Sequence, residues 1–278
     1  MEMHLLPLDY LYNYVVYLPE LAALTYCVAI SVDRGLIFAS DSRTNAGVDQ
    51  ISTYSKMQVF CGDGERMITV LSSGNLATTQ AVIRRLRRDL ENKKTPSLKS
   101  VRHLAEAADY VGEISLAEQA RHKKASSDEF NPGVSFILGG QIKGDKHQIY
   151  LVYPEGNHIR ASSRQPYLQI GELKYGKPIL DRIIRPELSL DDAARCALVS
   201  MDSTIRSNLT VGPPIELQFY ETGQYRAGAH LVFDEDHDYL RTLRLAWQDA
   251  LQKAFEGLPA LPERAADNVR RLSQPDDQ

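Results

Sequence analysis

Several groups of side chains in this sequence have the types that do chemistry, and each has an ordinary competitor. Glu235-Asp236-His237-Asp238 has the composition of a divalent-metal site, because carboxylates and imidazole are ligands. It also stands just ahead of a helical pattern, where acidic residues favour the positive end of the helix dipole, and that is the reading adopted: no metal and no cofactor. Arg84, Arg85, Arg87 and Arg88 form the densest basic run, on the outer part of another helical pattern. Such a run reads as a solvated or subunit-contact face before it reads as a phosphate site. The three cysteines, Cys27, Cys61 and Cys196, are odd in number, widely spaced and set in apolar stretches. They resemble neither a disulfide framework nor a clustered metal site, which fits a reducing cytoplasm. Cys27 has the type of a nucleophile, but with no His to partner it a packed thiol is the better reading. Thr25, Asp41 and Lys56, each taken alone, are a strand opener, a turn residue and a solvated charge. A glycine-rich lysine motif for nucleotide phosphates is absent, so any energy-dependent unfolding needs a separate ATPase.

The elements that must position these residues are regular from Thr25 onward. TYCVAISV, the turn Asp33-Arg34-Gly35 and LIFAS predict a β-hairpin that begins at the threonine. Lys56 to Cys61 and Arg66 to Ser72 predict a second, around Gly62-Asp63-Gly64. Asn75 to Lys93 and Ser97 to Lys123 each carry an apolar helical stripe. Strand composition returns at Gly133 to Ile142 and Gln148 to Tyr153. Helices are expected at Tyr175 to Ile184 and Leu190 to Asn208, the latter capped by Ser189, then strands at Ile215 to Tyr220 and Ala229 to Phe233. A last helix over about Asp236 to Phe255 is stopped by Gly257 and Pro259. Tightly linked strand pairs can close only antiparallel. The fold class is therefore α+β, with two antiparallel sheets between two helical layers. At 278 residues and 43% hydrophobic content, with no dividing linker, one domain over 25–259 is expected, with a disordered tail at 260–278. The net charge of -4 gives no electrostatic reason for a nucleic-acid or anionic-membrane partner.

TYCVAISVDRGLIFASDSRTNAGVDQISTYSKMQVF followed by SSGNLATTQ, with the later runs IGELKYGKPILDR and SMDSTIRSNLTVG, resembles proteasome β-type subunits, and most of all the bacterial Anbu (ancestral beta subunit) type. The resemblance spans roughly Thr25 to Pro259. It implies the N-terminal-nucleophile hydrolase fold, with Thr25 as nucleophile, Asp41 paired with Lys56, and an oxyanion-hole amide at Gly74. It further implies self-assembly into a ring or open helical turn and a peptide or small amide as substrate. The chemistry is coherent. A threonine hydroxyl needs a nearby base, and an N-terminal threonine carries one, an α-amine of pKa roughly 7.7 to 8.0. Arg43, close after Asp41, is a candidate orienting group or the partner of a structural salt bridge. The chain also departs from the pattern. Glu172 follows Gly171 where those subunits have a serine, and Asn208 and Val211 stand where they carry an Asp and a Ser, with Ser207 or Thr210 as substitutes. A scaffold without turnover, or a non-proteolytic amidase of the same superfamily, is the competing reading.

Residues 1–24 decide whether this chemistry is available. They are apolar and aromatic but start with no Lys or Arg, unlike a secretory signal. Charges and Pro19 break their apolar runs short of the roughly 18 to 20 residues that span a bilayer. Joined to Leu24, the Thr25 nitrogen is an amide and no base. The expectation is that residues 1–24 are upstream sequence included by a misplaced start, with Leu24 at the initiating codon; a propeptide is the second choice.

Overall fold

The computed structural model describes residues 25–45, 51–61, 64–93, 95–124 and 131–259. The expectations for 1–24, for 260–278 and for the turn residues Gly62 and Asp63 fall outside the described residues. Strand β1 (Tyr26–Val32) returns through Asp33-Arg34 as β2 (Gly35–Asp41), as the hairpin pattern predicts. A short ribbon follows, β3 (Arg43–Asn45) with β4 (Ile51–Thr53). Strands β5 (Met57–Cys61), β6 (Arg66–Gly74), β7 (Val134–Ile142), β8 (Gln148–Val152) and β9 (His158–Arg160) form one sheet in chain order. Strand β10 (Tyr167–Gly171) joins the first hairpin instead. With β11 (Ile215–Glu221) and β12 (His230–Phe233) it makes a sheet of order β10-β1-β2-β11-β12. Every strand pairing among the described residues is antiparallel.

The layers follow from strand alternation. Cys27, Ala29, Phe38, Leu71, Ile137, Leu168 and Ile170 point between the sheets and form a shared apolar layer. Tyr26, Val28, Ile30, Ile37 and Ala39 point the other way, onto α3 (Lys177–Ile183) and α4 (Leu190–Ser207). On the far side Ile68, Val70, Phe136 and Leu138 meet α1 (Leu76–Glu91) and α2 (Leu104–Lys124). The result is an αββα sandwich. A fifth helix, α5 (Asp238–Glu256), lies beside α4 with Leu240 and Leu243 turned to the core. Ser189 caps α4 as expected, its hydroxyl accepting the Asp192 N–H at 3.0 Å.

Helix α2 starts at Leu104, later than its apolar stripe predicts. The Ser100 hydroxyl takes the Ser97 N–H at 2.8 Å and holds Ser97–Ser100 as a turn, the local competition by which serine opposes helix. Leu98 and Val101 still reach the core, so the stripe was a true core signal on a non-helical backbone.

Phe38 is fully buried between the sheets and occupies the space that the absent side chain of Gly139 leaves open; a Cβ there would lie 2.7 Å from the ring. Phe38→Ala is therefore expected to cost about 3–5 kcal/mol, read as a lower denaturant midpoint with an unchanged slope.

Candidate active site

Thr25 directly precedes β1, is 3% exposed, and shares by alternation the inter-sheet face of Cys27. Its carbonyl accepts the Glu172 N–H at 2.7 Å. The next N–H along, that of Tyr26, donates to Asp41 Oδ1 at 3.0 Å. Those two acceptor and donor groups belong to one planar peptide unit, so Thr25 is held from both sides of a rigid plate. The Tyr26 ring beneath is fully buried, its hydroxyl bonded to Ser200 Oγ and to Gln169 Nε2 at 2.6 Å. Burial raises that phenol above its ordinary range. Gly176 leaves room for it, since a Cβ there would sit 2.3 Å from the tyrosine oxygen.

Asp41 ends β2 with no exposure. Its Oδ1 also accepts from Lys56 Nζ at 2.7 Å, and Oδ2 accepts the Gly212 N–H at 3.3 Å. Burial pushes this carboxyl upward, against the pull of the Lys56 ammonium and of the Tyr26 and Gly212 amides. Lys56 is itself buried and donates a second bond to the Arg43 carbonyl at 2.8 Å. The two sheets are laced at this edge. Ser72 N–H donates to the Lys56 carbonyl at 3.0 Å, and the Cys27 thiol lies 3.7 Å from the Ser72 carbonyl. Cys27 is fully buried and its pKa is pushed up by burial, so it packs and has no nucleophilic character. Cys196 is likewise pushed up to about 12.

Gly74 lies at the end of β6, two residues past Ser72 and so at the same edge. Its φ is +108°, and a Cβ would come within 2.4 Å of the Gly133 carbonyl. Only glycine fits there, just before Asn75 caps α1 by accepting the Thr78 N–H at 3.1 Å. Gly171 meets the same demand opposite: φ is +87°, and a Cβ would fall 1.8 Å from the Thr25 carbonyl oxygen. Glu172 and Asn208, far apart in sequence, are joined by a 3.1 Å bond from Asn208 Nδ2 to Glu172 Oε2. Thr210 supports Asn208 through its hydroxyl at 2.6 Å and its N–H at 3.0 Å. Ser207 sits exposed at the end of α4, outside these contacts, and Val211 is buried in the core. The Arg43 guanidinium holds the Leu209 carbonyl at 2.8 Å, so its described contact fastens the α4–β11 loop and does not touch the Asp41 carboxylate. Ser42 bonds Glu216 at 3.0 Å.

Gly212 escaped the sequence reading. Its N–H reaches Asp41, and a Cβ there would strike the Arg43 guanidinium at 2.2 Å. The glycine ahead of Pro213-Pro214 was its signal. His237 caps α5 by accepting the Tyr239 N–H at 3.2 Å, and Asp238 stands in the first turn of that helix. Among the described residues no group of His, Cys, Asp and Glu is arranged to hold a metal ion. None of their helices is long and apolar enough to cross a membrane. A concavity of about 800 Å³ opens around Ser31, Asp33, His147 and Arg160, at the other end of β1 from Thr25. It is remote from the residues just described.

The sequence profile of the family described as "Proteasome subunit" matches residues 25–218, starting at Thr25 itself. The chain belongs to the proteasome subunit family. Within it, the likeness is to Anbu (ancestral beta-subunit). The Yersinia bercovieri Anbu structure is 43% identical, over 86% of this chain and 100% of that one, with a TM-score of 0.81. The structure titled "Helical Assembly of the Anbu Complex from Pseudomonas aeruginosa" is 42% identical over 88% of this chain and 100% of that one, with a TM-score of 0.82. The more distant proteasome subunit beta 2 of Pyrobaculum neutrophilum is 22% identical over 72% of this chain and 90% of its own length. Membership places the chain among proteasome-type proteases and agrees with the αββα architecture.

The Asp41–Lys56 pair gives this proteasome-type site a measurable signature. Lys56→Met leaves the buried Asp41 carboxylate with amide partners alone, and a loss of about 3–5 kcal/mol is expected in denaturant titrations. A loss below about 1 kcal/mol would show the pair to be solvent-screened like a surface bridge.

Proposed function

We propose that the chain is a threonine hydrolase acting on peptide or small amide bonds, with Thr25 as an N-terminal nucleophile. The observation that carries this reading is the hold of Asp41, itself paired with Lys56, on the peptide unit of Thr25, the residue where the family match begins. The Thr25 hydroxyl attacks the substrate carbonyl while the free α-amine takes its proton. The amine returns that proton to the departing amine, leaving an ester on Thr25, and water then hydrolyses the ester by the same base. Lys56 has three N–H bonds and uses two on Asp41 and the Arg43 carbonyl, leaving one for the threonine hydroxyl. The positive charge favours the alkoxide. A backbone N–H at Gly74, beside the start of α1, receives the oxyanion. Arg43 is a positioning residue in this scheme, through its carbonyl on Lys56, and Gly171 admits the close approach of Thr25.

All of this requires the Thr25 nitrogen to be a free amine, hence the absence of residues 1–24 from the working protein. The buried free thiols Cys27 and Cys196 support a reducing, cytoplasmic setting. Unfolding of folded substrates would fall to a separate ATPase. Self-assembly into a ring or open helical turn is supported by the helical assembly of the Pseudomonas aeruginosa Anbu. It is supported too by α5 and the second residue past it, where Leu245, Leu251, Phe255 and Leu258 are 61%, 50%, 71% and 62% exposed.

Two measurements test the reading. Translated from a start codon in place of Leu24 and freed of its methionine, the protein should gain the mass of one peptide β-lactone at Thr25. Thr25→Ala and the chain with residues 1–24 retained should gain none; equal labelling of either would overturn the assignment. Phe255→Glu should lower the sedimentation mass relative to the unsubstituted protein, and an unchanged mass would remove α5 from the assembly contact.

A further inference from the structure

We propose that the Glu172 carboxylate, latched by Asn208, is the positioning group for the Thr25 amine and sets the lower pH limit of the nucleophile. The inference rests on the reading of Thr25 as an N-terminal nucleophile and adds a second carboxylate to it.

Three features of the structure lead there. First, Glu172 is tied directly to Thr25, its N–H on the threonine carbonyl at 2.7 Å, with Gly171 before it shaped to permit the approach. Second, the orientation of its latch is determined by the surrounding bonds. Asn208 Oδ1 already accepts both the hydroxyl and the N–H of Thr210, so only Nδ2 can face Glu172. Third, the described partners of the carboxylate are neutral. Oε2 accepts from the Asn208 amide at 3.1 Å and Oε1 from the Lys174 backbone N–H at 3.1 Å. Those two bonds leave lone pairs for a further donor.

The other charges around Thr25 are committed differently. Asp41, from β2, is neutralised by Lys56, which precedes β5, at 2.7 Å. Arg43, from β3, directs its guanidinium to the Leu209 carbonyl. Lys174 follows Glu172 on the same segment and contributes its backbone N–H. Among the described residues, the Glu172 carboxylate thus has amide partners, on the residue whose N–H holds Thr25. An ammonium formed at Thr25 gains from that charge, so the amine holds its proton to higher pH. The neutral amine is the form that accepts the hydroxyl proton. Activity therefore rises through the amine pKa, and Glu172 shifts that rise toward alkaline pH while fixing the direction of the amine.

The test uses the protein beginning at Thr25 and the rate of its acylation by a peptide β-lactone, followed by intact mass from pH 5 to pH 9. In Glu172→Gln the acid limb should move to lower pH by about one unit, a relative gain below neutrality that mere loss of structure does not produce. The double variant E172Q/N208D carries the carboxylate across the same hydrogen bond, with every partner still satisfiable, and should return the limb toward its original position. If Glu172→Gln proves unstable, Glu172→Ala removes the charge without setting two donors face to face and reads the same shift. A limb that stays in place in the variants while Thr25 is still acylated overturns the role of Glu172. Absence of acylation in the unsubstituted protein at every pH overturns the nucleophile itself, a separate and distinguishable failure.

Discussion

The peptide group between Thr25 and Tyr26 is the constraint on which the rest of this structure turns. A peptide plane is stiff, so gripping its C=O from one side and its N–H from the other fixes the position of Thr25 through its backbone. The two grips come from distant parts of the chain, Glu172 after β10 and Asp41 at the end of β2. A third restraint acts through the Tyr26 ring, pinned by Ser200 and Gln169. Both grips act on the backbone of Thr25, through its carbonyl and the N–H that follows it.

The electrostatic design around that plane is economical. Asp41 and Lys56 are both buried, and two buried charges seldom add net stability once their desolvation is counted. Their value lies in geometry. The Lys56 ammonium bridges the end of β2 and the start of β3, and the Lys56 backbone carbonyl is tied to β6, so a single residue spans both sheets at the site edge. The glycines there serve the same end. Gly74, Gly171, Gly176 and Gly212 each stand where a Cβ would collide with backbone or with a side chain of the network. They let that network close to hydrogen-bonding distance.

Much of the architecture could be read from local pattern. The hairpin from Thr25, the cap at Ser189 and the stop at Gly257 are short-range signals in which turn chemistry and apolar period agree. Strand β10 escaped notice because YLQIG is brief and pairs with β1, far away in sequence, and no local turn announces such a partner. The start of α2 was misplaced because a serine side chain outcompeted helix in a segment whose apolar spacing still suited the core. The ribbon of β3 and β4 is too short to show a period.

For the site the division is similar. The sequence alone determined which residue types were available and, through the resemblance to Anbu, that Thr25, Asp41 and Lys56 belong together. It also showed that Glu172 and Asn208 depart from the pattern. That these two departures meet in one hydrogen bond, that Thr210 orients the amide between them, and that Gly212 reaches Asp41 were decided only by tertiary structure. The physical reason is the length scale. Hairpins and helices are encoded by neighbours a few residues apart, whereas this site assembles where two sheets and a loop converge, and that convergence is set by the packing of the whole core.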